Sequence, residues 1–248
     1  MVDRRRRTLR TALVAEALRV ALAGRTRTDP TAGLDIVDLG GGTGGFAVPL
    51  AVEGHRVTVV DPSPDALASL ERRASDEGVS ELIHGIQGDA AELPQVAGKA
   101  TADAVLCHGV LEVVDDPVQA LQAMASVLRD GGVLSLLVAQ RNAVVLARAL
   151  AGHLTEARTA LQDPDGRWGP ADPMPRRFDE AAIVAQLAEA GFMVHTVHGV
   201  RTFTDLVPAA IVDSEAGAAE ALADLERAAS QHPAFRALSP QLHILATR

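Results

Sequence analysis

The 248-residue chain has no tyrosine, one tryptophan, one lysine and one cysteine, and aromatic residues make up only 2% of it. A single cysteine, Cys107, can neither close an intrachain disulfide nor supply a multi-cysteine zinc site. A disulfide scaffold is excluded, and a cytosolic setting is expected. No apolar run approaches the roughly 20 residues that a membrane-spanning helix needs, the best being Val133 to Ala139, so no membrane role is expected. With so few aromatic side chains, any stacking on bases falls to Trp168, Phe178, Phe203 or the planes of arginines.

What is present is an ordinary core, 48% hydrophobic against 22% charged, at net charge −9. That suits one compact domain over residues 1–248. The charge is uneven. The first 30 residues hold eight arginines and three acids, which leaves the remainder at −14. A broad basic face for coating nucleic acid is therefore absent, and Arg4 to Arg7 read first as a solvated terminus that could hold a few phosphates. The basic start resembles an export leader, but Arg10, Glu16 and Arg19 interrupt its apolar stretch. Leu9, Leu13, Ala17, Val20 and Ala21 instead fall at helical spacing, which predicts an amphipathic helix and a cytoplasmic protein.

Beyond a connector at Thr26 to Gly33, short β-branched runs alternate with helical patterns, as in a parallel sheet with crossover helices. Seven strands are predicted: Asp35 to Leu39, Val57 to Val60, Leu82 to Gln87, Ala104 to Cys107, Val133 to Val138, Met193 to Val197 and Gln241 to Thr247. Helices follow from Val118, Leu121, Met124 and Leu128, stopping at Gly131-Gly132, and from Ile183 and Leu187 ahead of Gly191. Two stretches exceed what crossovers need, residues 141–177 and the Ala-rich region 206–229. The first reads as a lid or substrate wall, the second equally as that or as a surface helix pair.

The run IVDLGGGTGGFAVPLA leads a buried strand through glycines into a helix, which places backbone amides at the carboxyl edge of the sheet, where such folds bind nucleotides. Gly40, Gly42 and Gly45 satisfy a dinucleotide pattern; Asp38, Gly40, Gly42 and Gly44 satisfy DxGxGxG, the pattern of S-adenosylmethionine (SAM) binding. Asp61, followed by Pro62, closes the second strand, where a carboxylate can accept ribose hydroxyls from either cofactor. Asp89, with the amide of Ala90 beside it, follows the third strand, where it can meet an adenine amino group. The nicotinamide alternative lacks its chemistry, because oxidoreductases of this size use a Tyr and a Lys for proton transfer. Here there is no Tyr, and Lys99 sits in a loop.

On these residues the chain resembles the class I SAM-dependent methyltransferases over about residues 8–200, with the fourth strand in ADAVLCHGVLEVVDDP and the fifth after RDGGVLSLLV. Within that class it looks most like the bacterial tRNA methyltransferases that esterify 5-carboxymethoxyuridine at the wobble position. The shared stretches are Leu9 to Leu13, Leu106 to Pro117, Gly131 to Ala143 and Gly199 to Asp205. The resemblance implies a Rossmann-like, mostly parallel sheet with helices on both faces and an antiparallel last strand. It implies SAM as cofactor and S-adenosylhomocysteine as product. Asp38 would then order the loop near the methionyl amine, Arg10 would reach the cofactor carboxylate, His108 would sit beside SAM, and Arg201 would face the substrate.

Methyl transfer from a sulfonium is an in-line displacement that needs alignment and exclusion of water. A carboxylate acceptor is already an anion and needs cations rather than a base. Arg141, Asn142, Arg177 and Arg201 are the substrate candidates, with a solvated surface role the stronger expectation for Arg177. A phenol or amine acceptor needs a base, for which His108 is best placed. The partner is thus tRNA or a small-molecule acceptor; a small-molecule O- or N-methyltransferase and a SAM-binding protein without catalysis are the alternatives. Cys107 is expected to be a core residue. His195 and His198, three apart on a strand, face opposite ways, and no metal site is expected.

Overall fold

The computed structural model describes residues 2–25, 33–214 and 217–248, and the side chains among them except those of residues 2–10, 209, 213 and 214. The basic start forms α1 (Val2–Ala23). Its buried stripe is Val14, Leu18 and Leu22, each below 5% exposed, whereas Val20 is 71% exposed. The expected stripe through Leu13, Ala17 and Val20 is therefore displaced by one residue. Both series repeat every three to four residues, so the sequence alone offers two faces and packing selects one.

The elements then run β1 (Asp35–Leu39), α2 (Ala47–Val52), β2 (Arg56–Asp61), α3 (Pro64–Asp76), a short turn of 3-10 helix, β3 (Ile83–Gln87), α4 (Leu93–Val96), β4 (Ala102–His108), α5 (Pro117–Val127) and β5 (Leu128–Ala139). They continue through α6 (Arg141–Leu150), α7 (Leu154–Gln162), α8 (Glu180–Glu189), β6 (Met193–Val200), α9 (Ala209–Ser214), α10 (Ala218–Ala229), α11 (Pro233–Arg236) and β7 (Gln241–Thr247). The seven strands form one sheet in the order β3-β2-β1-β4-β5-β7-β6. Its centre is apolar on both faces. Val105, Leu106 and Cys107 on β4, and Leu134 and Leu136 on β5, are all fully buried, as helix-covered strands require.

Local chemistry sets the helix starts. The Ser63 side chain accepts from the Ala66 N–H and the Asp116 side chain from the Gln119 N–H, with Pro64 and Pro117 following as first helical residues whose missing N–H costs nothing there. α5 ends sooner than its apolar repeat suggests. Leu128 belongs to β5, and Gly131-Gly132 lie inside that strand rather than terminating the helix. Gly131 takes a φ of +70°, and the amide of Gly131 donates to the carbonyl of Arg248 while the amide of Arg248 donates to Gly132. At the far end the amide of Gln140 donates to the carbonyl of Pro240. The start of β5 thus meets the end of β7 and the reverse, so β7 runs antiparallel to β5.

The chain packs as two compact units. One comprises Val20–Leu136, Val184–His195 and Ile244–Arg248 and holds the glycine loop; the other comprises Met1–Arg19, Leu137–Ile183 and Thr196–His243 and holds both insertions. Among the described residues no helix is long and apolar enough to cross a membrane.

Candidate active site

β1 lies between β2 and β4, all parallel, so the chain leaves β1 toward one side and returns on the other, opening a crevice at the strands' carboxyl ends. The register brings those ends level: Leu39 pairs with Val60 and with Cys107, and Asp61 pairs with Gln87. The cofactor candidates at the strand ends, Asp38, Gly40, Asp61, Asp89 and His108, therefore come to one edge.

The glycine loop shows which of its two patterns is used. Gly40, Gly42 and Gly44 have φ of +69°, +54° and +78°, a region that side chains disfavour. A Cβ at Gly40 would run into Val110, and one at Gly44 into Leu70, whereas Gly45 has an ordinary φ and open space around it. The alternation at 40, 42 and 44 is what the fold demands, not the spacing through Gly45. Asp61 fastens the loop: its Oδ2 accepts from the Gly42 N–H and its Oδ1 from the Ser63 N–H, both at 2.9 Å. Each oxygen keeps a lone pair for a further donor. Arg73 on α3 donates to the carbonyl of Thr43 at 2.7 Å.

Asp38 is 3% exposed beneath Gly41, and its Oδ2 has no hydrogen-bond partner. Burial, and then the negative charge of Asp61, push its carboxyl up to about pKa 7. Next to the loop, Gly40, Pro62, Asp89, Ala90, Val110 and Val114 are among the residues lining a cavity of about 310 Å³, within the range of small-ligand pockets. Asp89 Oδ1 accepts from the amides of Ala91 and Glu92 at 2.8 and 3.2 Å, which fixes the loop that carries Ala90.

His108 ends β4. Its Nε2 lies 2.9 Å from Ser135 Oγ, and the Phe46 ring meets it edge-on at 4.6 Å between centroids. Burial pushes the imidazole down to about pKa 4. Neither Ser135 nor Phe46 was a sequence candidate, although a lone serine within the apolar run VLSLLV is a signal that could have found the first. Cys107 is fully buried, and burial pushes its thiol up, as befits a core residue.

The substrate candidates are placed differently. Arg141 donates to the carbonyls of Leu161 and Asp163 and lies 3.7 Å from Asp179. Asn142 donates to the carbonyl of Ala237. Arg177 corrects the expectation of a solvated residue: it grips Asp172 through both guanidinium nitrogens at 2.7 and 3.0 Å, in a pair whose side chains are 10% and 0% exposed. Asp172 also accepts from the amides of Trp168 and Met174; burial pushes its carboxyl up, but the bond from Arg177 first and then these amides outweigh it and hold it below the usual range. Arg141 and Arg177 thus spend polar groups inside the insertion, whereas Asn142 ties its first turn to the segment around α11. Trp168 lies under the Arg148 guanidinium at 3.9 Å, and Phe178 is buried. Arg201 is partly exposed and bonds Asp205 at 2.5 Å and Gln241 at 3.2 Å. Arg10 lies on α1, but its side chain, like those of Arg4 to Arg7, is outside the described residues. His195 bonds Thr247, His198 stacks on His243, and no metal-binding group of His, Cys, Asp or Glu forms among the described residues.

The residues at the strand edge suit SAM: the buried Asp38 carboxyl has an oxygen without a partner that could accept from an ammonium group, Asp61 can still accept hydroxyls, and Gly42 leaves open the space its side chain would fill. A family model described as a methyltransferase domain matches residues 37–136. A solved SAM-dependent methyltransferase from Mesorhizobium loti shares the fold, with a TM-score of 0.59 at 20% identity over 94% of this chain and 96% of that one. The chain belongs to the class I SAM-dependent methyltransferases, with SAM as its cofactor. Within that class it is similar to the tRNA 5-carboxymethoxyuridine methyltransferase of Escherichia coli K12, at 30% identity over 215 residues, 87% of this chain and 80% of that protein. A shorter match, 34% identical over 128 residues, joins 50% of the chain to 46% of a ubiquinone biosynthesis O-methyltransferase from Methylocella silvestris.

Proposed function

We propose that this enzyme esterifies the carboxylate of 5-carboxymethoxyuridine in tRNA, in the cytoplasm. The observation that carries this reading is the likeness to the tRNA 5-carboxymethoxyuridine methyltransferase over most of both chains, and the surroundings of His108 agree with it. An imidazole with a pKa near 4 is too weak a base to draw a proton from a phenol or an ammonium group, whose pKa values lie near 10. A carboxylate has no proton to remove.

In this mechanism SAM supplies an electrophilic methyl group when bound. Asp38 would hold the methionyl ammonium, Asp61 the ribose hydroxyls, and Asp89 with the Ala90 amide the adenine. His108, fixed by Ser135 and Phe46, stays neutral and walls the reaction from water without moving a proton. Arg201 receives the acceptor carboxylate, while Arg141 and Arg177 keep the 141–177 insertion in shape and Asn142 ties its start to the segment around α11. The deciding experiment is mass spectrometry of nucleosides from tRNA lacking the final methyl ester, after incubation with the protein and methyl-labelled SAM. Label on 5-carboxymethoxyuridine is expected; unlabelled tRNA with SAM tightly bound overturns the assignment.

A small-molecule acceptor is the second reading, favoured by the likeness to the ubiquinone pathway enzyme and by the chain's negative charge.

A further inference from the structure

Arg201 follows the last residue of β6 with a φ of +68°, one of two described non-glycine residues in the left-handed region. A long side chain keeps such a backbone only where its surroundings over-determine it. Glu226, reaching from α10 and 6% exposed, is what over-determines it here. Its Oε2 accepts from the Thr202 N–H at 3.1 Å. Its Oε1 accepts from the Phe203 N–H at 2.8 Å, the Thr204 N–H at 2.6 Å and the Thr204 hydroxyl at 2.7 Å. Three consecutive amides directly after Arg201 thus converge on one carboxylate, and bonds to a charged acceptor are stronger than neutral ones.

The guanidinium at the mouth of this turn is incompletely bonded. Nη2 meets Asp205 and Nη1 meets Gln241, while the buried Nε has no partner. We propose that Glu226 is a positioning residue for the acceptor: by clamping the amides of residues 202–204 it keeps Arg201 in its strained turn and aims the guanidinium at the acceptor's anionic group. This rests on the assignment of Arg201 to the acceptor made above. It gives the 206–229 insertion a task in the reaction, since α10 carries the clamp.

The test uses the full chain, methyl-labelled SAM and tRNA bearing 5-carboxymethoxyuridine without its ester. Glu226→Gln keeps the shape but sets an amide nitrogen against backbone donors. It should raise KM for the tRNA about tenfold or more and leave kcat within about twofold. The Kd for SAM, measured by calorimetry, should not change. Thr204→Val, which removes one donor and leaves no buried charge unpaired, should raise KM in the same direction by less, and it decides the matter should the glutamine variant fail to fold. Arg201→Ala should raise KM, and adding Glu226→Gln to it should do no further harm, because the clamp acts only through Arg201. An unchanged KM in Arg201→Ala removes the acceptor role of Arg201 and the proposal with it. A raised KM there, with Glu226→Gln harmless alone or multiplying the Arg201→Ala effect, overturns the clamp and leaves Arg201 in place.

Discussion

Replacing Asp38 by Asn should make the cofactor-free protein more stable and unable to hold SAM. In the fold the carboxyl titrates near 7 instead of its ordinary 3.8, because it is buried and faces Asp61. Well below pH 3.8 it is protonated both folded and unfolded, so the fold carries no penalty. As pH rises through the interval up to 7, the folded state keeps a proton that the unfolded chain has lost, and stability falls. Above 7 the full penalty applies, about 4 kcal/mol for about three pKa units. Asn has no such titration. The stability difference between variant and wild type, from urea unfolding, should therefore widen by about 2 to 3 kcal/mol between pH 5 and pH 8, whatever its starting value. The same linkage makes wild-type SAM affinity decline below pH 7, by up to about tenfold per pH unit, since the ligand's ammonium favours the ionised carboxylate. Saturating SAM should stabilise the wild type and leave the variant where it was. A difference that stays constant from pH 5 to 8 would refute the argument, because it would mean that Asp38 is ionised throughout.

Four more outcomes are expected. Gly44→Ala should cost about 2 kcal/mol or more in urea unfolding, from its φ and the collision with Leu70, whereas Gly45→Ala should cost under about 0.5; equal costs would sink the choice between the two glycine patterns. Asp61→Ala frees the Gly42 and Ser63 amides and should weaken SAM binding by tenfold or more in calorimetry, on the order of two lost charge-assisted bonds. Asp172→Asn strips Arg177, whose side chain is 10% exposed, of its charge partner and should cost about 3 kcal/mol, shown as a shifted emission of the lone Trp168. Because the Asp172 carboxyl is held below its ordinary value, the wild-type insertion should keep this contribution above pH 4 and lose it as pH falls further. With SAM saturating, kcat on the tRNA acceptor should be flat from pH 6 to 9; a limb near 6.5 that disappears in His108→Gln would restore the histidine as a base.

Much of the cofactor half was legible in the sequence because it rests on local chemistry. Asp35 to Leu39 and Gln241 to Thr247 are strands as read, since a short apolar run has few other fates. Positive φ falls on the glycines of one of the two patterns. Other features depend on what approaches from far along the chain. Glu226 reads as one more charge on an Ala-rich helix until three amides 22 to 24 residues away arrive at its carboxylate. Arg177 looked solvated because nothing in the sequence says that Asp172, five residues before it, turns inward with it. The α1 stripe shifted for a simpler reason: with Ala, Leu and Val on nearly every side, periodicity does not choose between adjacent faces.

Gly199 decides how tightly the segment around α11 is held. A Cβ there would overlap Ser239 Oγ and come within 2.8 Å of the Arg236 backbone, so the segment around α11 rests directly on the bare main chain of β6. The Gly199 amide donates to the carbonyl of Ser230 at 2.7 Å, and the Gln140 side chain donates to the carbonyls of Arg236 and Ser239. A segment fastened at so many main-chain points is held firmly against β6. The amides of Gly199 and Thr202 to Thr204 should accordingly exchange with deuterium as slowly as those of the strand interior, with or without tRNA; fast exchange at these four would show a hinge instead.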